Sequence, residues 1–176
     1  MRRKERTDPD YIYYYDSPLG RIMLASDGEA LTGLWFDGQK HFAETPARNH
    51  EEKDLPVFSE ACRWLDIYFS GKDPGFTPKI RIRGTDFQKA IWETLLTVPY
   101  GKTVTYGEIA DRAAKQAGLP RTSARAIGGA VGRNPISLII PCHRVIGKNG
   151  SLTGYAGGID RKKRLLEAER VFVPDE

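Results

Sequence analysis

The run Thr105-Tyr106-Gly107-Glu108-Ile109-Ala110 leads through Gly118-Leu119-Pro120 to Ser123-Ala124-Arg125-Ala126-Ile127-Gly128-Gly129-Ala130-Val131-Gly132-Arg133-Asn134-Pro135. Its reading decides the fold of the second half of the chain. Thr105 with Glu108 three residues on is a capping box, the threonine closing the first turn and the glutamate reaching back. Ile109, Ala110, Ala113 and Ala114 follow at helical spacing. Gly118-Leu119-Pro120 is a turn, Thr122 or Ser123 opens a second helix, and Asn134-Pro135 ends it. Two short helices joined by a turn predict a helix-turn-helix.

The second helix is poor helix material, because each interior glycine costs about 1 kcal/mol relative to alanine. Two readings stand. Small side chains allow close helix–helix packing, or they let a helix lie against a nucleic-acid groove, with Arg125 as its one long side chain near the start. In the second reading Lys102, Arg112, Lys115, Arg121 and Arg133 would hold phosphates around it; otherwise they form a solvated face.

Downstream, the apolar run 138–140 predicts a short buried strand. Pro141 lacks an N–H and fixes φ, so it stops a ladder and turns the backbone just before Cys142. Cys142 and His143 are neighbours, and a thiol reacts as its thiolate. A buried cysteine beside a structural histidine is the plainer alternative. Lys148-Asn149-Gly150 predicts a hairpin turn. Thr153-Gly154-Tyr155-Ala156-Gly157-Gly158 is a glycine-rich loop, either a connector or a cover for a planar ligand. Residues 160–171 predict a helix on which Glu169 lies beside the apolar set. An inward Glu169 needs a partner, for which His143 is available; a surface position is the other reading. With His143 beside Cys142 and Glu169 behind, the thiol pKa is expected below the free value of about 8.5.

Upstream, Thr85 with Gln88 is another capping box, followed by Phe87, Ile91, Trp92 and Leu95 on one face. Val98-Pro99-Tyr100-Gly101 ends that helix. Residues 11–15, 21–26 and 31–36 read as strands, the third as a central strand because both its faces are apolar. Residues 41–53 read as a polar loop with solvated histidines. Phe58, Ala61, Cys62, Leu65 and Phe69 mark an amphipathic helix that Gly71 stops, with Cys62 as an unreactive core residue. Residues 79–83 are strand-like. The expectation is an α+β protein: a small N-terminal α/β subdomain over 1–80 and a mostly helical domain over 81–176.

Composition sets outer limits. The 176 residues are 40% hydrophobic, enough for one core or two subdomains sharing an interface. A net charge of +4 fits an anionic partner. Two cysteines make no disulfide framework, which points to a reducing compartment, the cytoplasm, or the nucleus for a eukaryotic source. There is no run of about 18 apolar residues, and the basic start of the chain leads into Asp8-Pro9-Asp10, which argues against a signal peptide or membrane span. The three histidines and two cysteines form no zinc pattern, and the glycine-rich loop lacks phosphate-loop spacing.

Together these residues resemble the O6-alkylguanine-DNA alkyltransferase family, strongly over 84–170 and more weakly before it. The resemblance rests on Pro141-Cys142-His143-Arg144-Val145, on Tyr106 in a Tyr-Gly-x-Ile-Ala setting, on the run from Ala124 to Ala130, on Asn134-Pro135, and on Tyr155-Ala156-Gly157-Gly158. Several motifs in order carry it; a lone Cys-His pair would not. It implies a ribonuclease-H-like N-terminal subdomain and DNA repair by direct reversal. Cys142 would accept the alkyl group of O6-alkylguanine once and irreversibly, with no cofactor and no metal; action on O4-alkylthymine is left open. His143 would withdraw the thiol proton through a water, Glu169 orient His143, and Asn134 link the recognition helix to the site. Tyr106 would help rotate the nucleotide out and protonate the leaving guanine, since alkyl transfer needs the base out of the stack. Arg125 would fill the gap. Ala124, Ala126, Gly128 and Lys148 would meet double-stranded DNA through the minor groove, with little sequence preference. Val131, Ser137, Val145, Tyr155, Ala156 and Gly157 would form the pocket. The implied protein is a monomer, with cooperative assembly on DNA open.

Ser137 stands where some relatives have proline, and Ala156 where some have a serine donor to guanine O6; both bear on pocket size and selectivity. The zinc ligands of some animal relatives have no equivalents. A non-catalytic alkylated-DNA binder would lack Cys142. A thiol hydrolase would turn over, and a transcription regulator would need more base-reading side chains on its second helix.

Overall fold

The computed structural model describes residues 10–42 and 50–173. Four strands form the N-terminal sheet: β1 (Asp10–Ser17), β2 (Gly20–Ser26), β3 (Leu31–Phe36) and β4 (His50–Glu52), in the order β3-β2-β1-β4. β1 and β2 are antiparallel and pair Ser17 with Gly20 across Pro18-Leu19. β2 and β3 are also antiparallel, and β4 lies parallel to β1. The expected loop over 41–53 therefore contains a strand, while 43–49 lie outside the described residues. Gly33 is set by packing: a Cβ there would lie 1.9 Å from Trp35 Cη2, so the indole can fold over the strand only if residue 33 is glycine.

β3 is at the edge of this sheet and not central. Its open side is occupied by single bridges from elsewhere. Leu31 donates to Lys79 O at 2.8 Å and accepts from Arg81 N, and Leu34 donates to Pro135 O at 2.9 Å and accepts from Ser137 N. These contacts satisfy an edge that would otherwise expose its backbone. They also explain why all six β3 residues are buried, the property that suggested a central strand. The strand-like 79–83 stretch contributes only that bridge.

α1 (Pro56–Phe69) starts with Pro56 in its first turn, where a missing N–H costs no hydrogen bond. Its buried face is Val57, Phe58, Ala61, Trp64, Leu65 and Tyr68. Cys62 and Phe69 sit half-buried at the flank, so the face is turned toward Tyr68 relative to expectation. α2 (Asp86–Leu95) has the Thr85–Gln88 capping box, and Trp92 Nε1 donates to Ala130 O at 2.8 Å. β5 (Val104–Thr105) leads into α3 (Tyr106–Ala117), which starts with the Thr105–Glu108 box and ends at Gly118 in the left-handed conformation, φ +64°. Ser123 caps α4 (Ala124–Gly132), whose buried side is Ile127, Ala130 and Val131. β6 (Val145–Ile146) pairs in parallel with β5, and α5 (Ile159–Ala168) is the last element among the described residues.

Two local expectations are corrected. Residues 138–140 form a turn and not a strand: Leu138 has φ +69°, and Ile140 N–H reaches back to Ile136 O at 3.0 Å. The run is apolar because it is buried, not because it joins a ladder. The 148–150 turn closes on Gly147 and Ser151, but β6 pairs with β5, so no hairpin forms. One contiguous apolar core runs from Ile22, Leu24 and Leu34 through α1 and α2 to Ile136–Ile140 and Val145. A smaller cluster of Ile12, Met23, Ala25 and Trp35 covers the other sheet face. Among the described residues no helix is long and apolar enough to cross a membrane.

Candidate active site

Asn134 builds the approach to the cysteine. Its Oδ1 accepts Ile136 N–H at 2.9 Å and its Nδ2 donates to Ile140 O at 2.7 Å, which holds Leu138 in its unusual conformation. Pro141 then turns the chain at φ −82°, ψ 65°, with Cys142 N–H bonded to Ile140 O at 2.8 Å. This is an inverse γ-turn. Cys142–Arg144 follows as one 3₁₀ turn, and Cys142, His143 and Arg144 are all buried.

Glu169 reaches the same place from α5. Lys162, Leu165, Leu166 and Glu169 follow one helical stripe, and all four are buried. After Glu169 the chain turns through Arg170 at φ +61°, with Arg170 N–H on Glu167 O and Val171 N–H on Leu166 O. This pair of bonds is a Schellman motif that ends the helix earlier than the expected 171. The surface reading of Glu169 is thereby excluded. Glu169 Oε2 bonds His143 Nε2 and accepts from Tyr68 Oη at 2.7 Å; Oε1 accepts from Arg144 Nε at 2.8 Å and Gly101 N at 3.0 Å.

Electrostatics follow from this geometry. Burial pushes the Glu169 carboxyl up, but the hydrogen bond and charge of His143, the Arg144 guanidinium and the Gly101 N–H bring it down to about 2. Burial lowers His143 more than Glu169 raises it, so the imidazole is neutral near pH 7. A carboxylate only accepts, so Nε2 carries the proton. Nδ1 is left buried, with its lone pair unengaged among the described residues. Burial pushes the Cys142 thiol up, outweighing the hydrogen bond with Asn134 and the charge of Lys162. The expectation of a depressed thiol pKa is therefore overturned: Cys142 rests as a protonated thiol with an imidazole base in the adjacent residue.

Lys162 is 1% exposed, and burial lowers its pKa to about 8. Its Nζ donates to Val145 O and, at 2.9 Å, to Thr153 O, joining β6 to the glycine-rich loop. Thr153 O also accepts from Tyr106 Oη at 3.3 Å, which places Tyr106 between that loop and α4. Tyr155 is buried, with its hydroxyl unpartnered among the described residues. A Cβ on Gly157 would lie 2.6 Å from the Tyr155 ring. Val131, Ser137 and Val145 are buried and Ala156 is half-buried. A cavity bounded by Trp64, Leu138, Ile139, Pro141 and Arg144 is separate and touches none of the expected pocket residues.

On α4, Ala124, Arg125, Ala126 and Gly129 are exposed and Gly128 is half-buried. A Cβ at Gly129 or Gly132 would meet nothing within 4 Å. Close packing therefore does not account for Gly129 or Gly132, and Ala124, Ala126 and Gly129 form an open face. Lys148 is exposed in the 148–150 turn. Among the described residues no group of three or more His, Cys, Asp or Glu could hold a metal ion.

The structure thus brings together Cys142, His143, Glu169 and Asn134, with Tyr106 one carbonyl away from Lys162. Sequence reasoning assigned no role to Tyr68, Arg144, Gly101 or Lys162. The spacing that singled out Glu169 also selects Lys162, three and four residues before Leu165 and Leu166. Tyr68 continues the helical spacing of Ala61 and Leu65.

The chain is similar to known proteins over nearly all of its length. Residues 11–82 match the family model for the 6-O-methylguanine DNA methyltransferase ribonuclease-like domain, and 86–171 the one for its DNA binding domain. A methylated-DNA–protein-cysteine methyltransferase of Mycobacterium bovis is 49% identical over 90% of this chain and 92% of its own length. That of Haemophilus influenzae is 42% identical over 94% of this chain and 89% of its own. The crystal structure of Mycobacterium tuberculosis OGT in complex with DNA superposes with a TM-score of 0.79 at 46% identity, covering 91% of this chain and 92% of that one. The matched domains span nearly all of the described residues, and the chain belongs to the 6-O-methylguanine DNA methyltransferase family.

Proposed function

We propose that this chain repairs DNA by direct reversal, moving the alkyl group of O6-alkylguanine to Cys142 in one irreversible turnover. The observation that carries the reading is the buried Cys142 thiol beside His143, whose Nε2 is tied to Glu169 and whose Nδ1 lone pair is unengaged. The Cys142 proton passes to Nδ1, directly or through a water, and Glu169 balances the imidazolium. The thiolate attacks the alkyl carbon in line. The carbon–O6 bond breaks, its electron pair goes to the guanine, and Tyr106 returns a proton to the base. The product thioether is not hydrolysed, so each molecule acts once. A resting protonated thiol suits this sequence, because the nucleophile forms only as its proton leaves, with the Lys162 charge favouring the anion.

A base inside the duplex cannot meet a buried thiol, so the nucleotide must rotate out. The open face of α4, with Ala124, Ala126, Gly128 and Gly129, suits a helix seated in the minor groove with little sequence preference. Arg125 fills the vacated stack and Lys148 meets the backbone. Val131, Ser137, Val145, Tyr155, Ala156 and Gly157 wall the base pocket. Residues 81–176 carry the chemistry, residues 1–80 support it, and the protein acts as a monomer.

The test is intact-mass measurement after incubation with duplex DNA carrying O6-methylguanine. The expected result is one methyl group per protein, with transfer stopping at one equivalent. Turnover beyond one equivalent, or no mass change with full DNA binding, overturns the reading.

A further inference from the structure

Cys142, His143 and Glu169 all belong to the C-terminal half, yet one group that holds them comes from the other half. Tyr68 lies in the last turn of α1 and is 1% exposed. Its hydroxyl donates to Glu169 Oε2 at 2.7 Å and lies 3.4 Å from His143 Nε2. The ring stacks on Trp64 at 5.2 Å and meets the His143 ring edge-on at 6.3 Å. Burial, with the Glu169 charge, raises the phenol so far that it remains a donor throughout the working pH range. Arg144 and Gly101 already occupy Oε1. Among the described residues Oε2 is therefore shared by His143 and one outside donor, and that donor is delivered by the helix packed on the N-terminal sheet.

We propose that Tyr68 is a positioning residue for alkyl transfer, by which the N-terminal subdomain sets the orientation and basicity of the Glu169–His143 pair. This rests on the reading of Cys142 as acceptor and His143 as its base. Donors at both oxygens fix the carboxylate plane, and the carboxylate plane fixes the imidazole with Nδ1 free. The hydroxyl also draws off charge from Oε2. Without it, the carboxylate attracts the His143 proton more strongly, and the imidazole stays protonated, and useless as a base, to a higher pH.

Tyr68→Phe removes the hydroxyl and keeps the ring. Single-turnover transfer from duplex O6-methylguanine at saturating protein is followed from about pH 5 to about pH 9. The acid limb of the rate profile is expected to move up by about half to one pH unit in Tyr68→Phe, with rates several-fold lower on that limb and convergence toward wild type at high pH. Glu169→Gln should move the limb the other way. Nitrogen NMR of His143 should show the Nε2–H tautomer in wild type and, at the same pH on the acid limb, a larger protonated fraction in Tyr68→Phe. A slowly exchanging Tyr68 hydroxyl proton, seen in wild type and lost in Glu169→Gln, tests the bond without altering Tyr68. A Tyr68→Phe profile and His143 spectrum that superimpose on wild type, even with a lowered melting temperature, overturn the proposal, as does absence of the hydroxyl signal. Failure of the underlying reading looks different: wild type then transfers no methyl group, or Glu169→Gln leaves the profile unchanged.

Discussion

The side-chain amide of Asn134 donates to the carbonyl of Ile140 at 2.7 Å, and this bond ties the end of α4 to the turn that presents Cys142. The face proposed to meet DNA and the proposed nucleophile are thus joined by one buried side chain that also accepts from Ile136 N–H.

Replacing Asn134 with Ala should therefore cost both stability and chemistry. Two buried hydrogen bonds go: Ile136 N–H is left unpaired, and Ile140 O keeps only the Cys142 N–H, at about 1–3 kcal/mol in total. The thiol loses a stabilising hydrogen bond, so its pKa rises further. Urea unfolding and iodoacetamide alkylation rates against pH check the two effects. A variant as stable as wild type with an unchanged alkylation profile contradicts the linkage.

Only Cys142 should take the methyl group. Cys62 is half-buried at the flank of α1, and burial followed by the Asp66 charge raises its thiol too. It has no histidine partner among its hydrogen bonds in the described residues. Peptide mapping after reaction should find the label on Cys142 alone, and Cys142→Ala should bind DNA without accepting it.

Acid should destabilise the fold through the same network. Glu169 titrates at about 2 when folded, against 4.5 ordinarily, so its contribution is complete above about 4.5 and is lost as pH falls toward 2. The loss is on the order of 3 kcal/mol. His143, held neutral chiefly by burial, adds a loss that begins as pH falls through its ordinary value of 6.5. Urea unfolding free energies measured down the pH scale should show a slope below about 4.5 that is missing in Glu169→Gln.

Arg125→Ala should slow repair of duplex DNA strongly and reaction with free O6-benzylguanine much less, because only the duplex requires extrusion. An unstacked site costs a few kcal/mol, which a planar guanidinium offsets by stacking and by bonding the orphaned base. If single-turnover rates at saturating protein match wild type and only the dissociation constant and its salt dependence change, Arg125 is a phosphate contact and the stacking role is wrong.

The features legible in the sequence are those whose causes are local. The capping boxes at Thr85 and Thr105 involve residues three apart, and both formed as read. The Cys142–His143 adjacency and the recurrence that put Glu169 on the α5 stripe are likewise local. Other features depend on what the rest of the chain brings. β3 can lie buried at a sheet edge because the backbone around Lys79 and Pro135 satisfies its open side. No residue at 138–140 announces a left-handed leucine; Asn134 imposes it from outside the run. Tyr68 and Glu169 are 101 residues apart and meet only because the two halves share one core. The sign of the Cys142 shift does not follow from His143 and Glu169, since desolvation by the whole core outweighs the groups beside the thiol. Sequence by itself determined which groups are available for the chemistry. Tertiary structure decided their protonation and partners, because burial and long-range hydrogen bonding sum over residues that no short stretch contains.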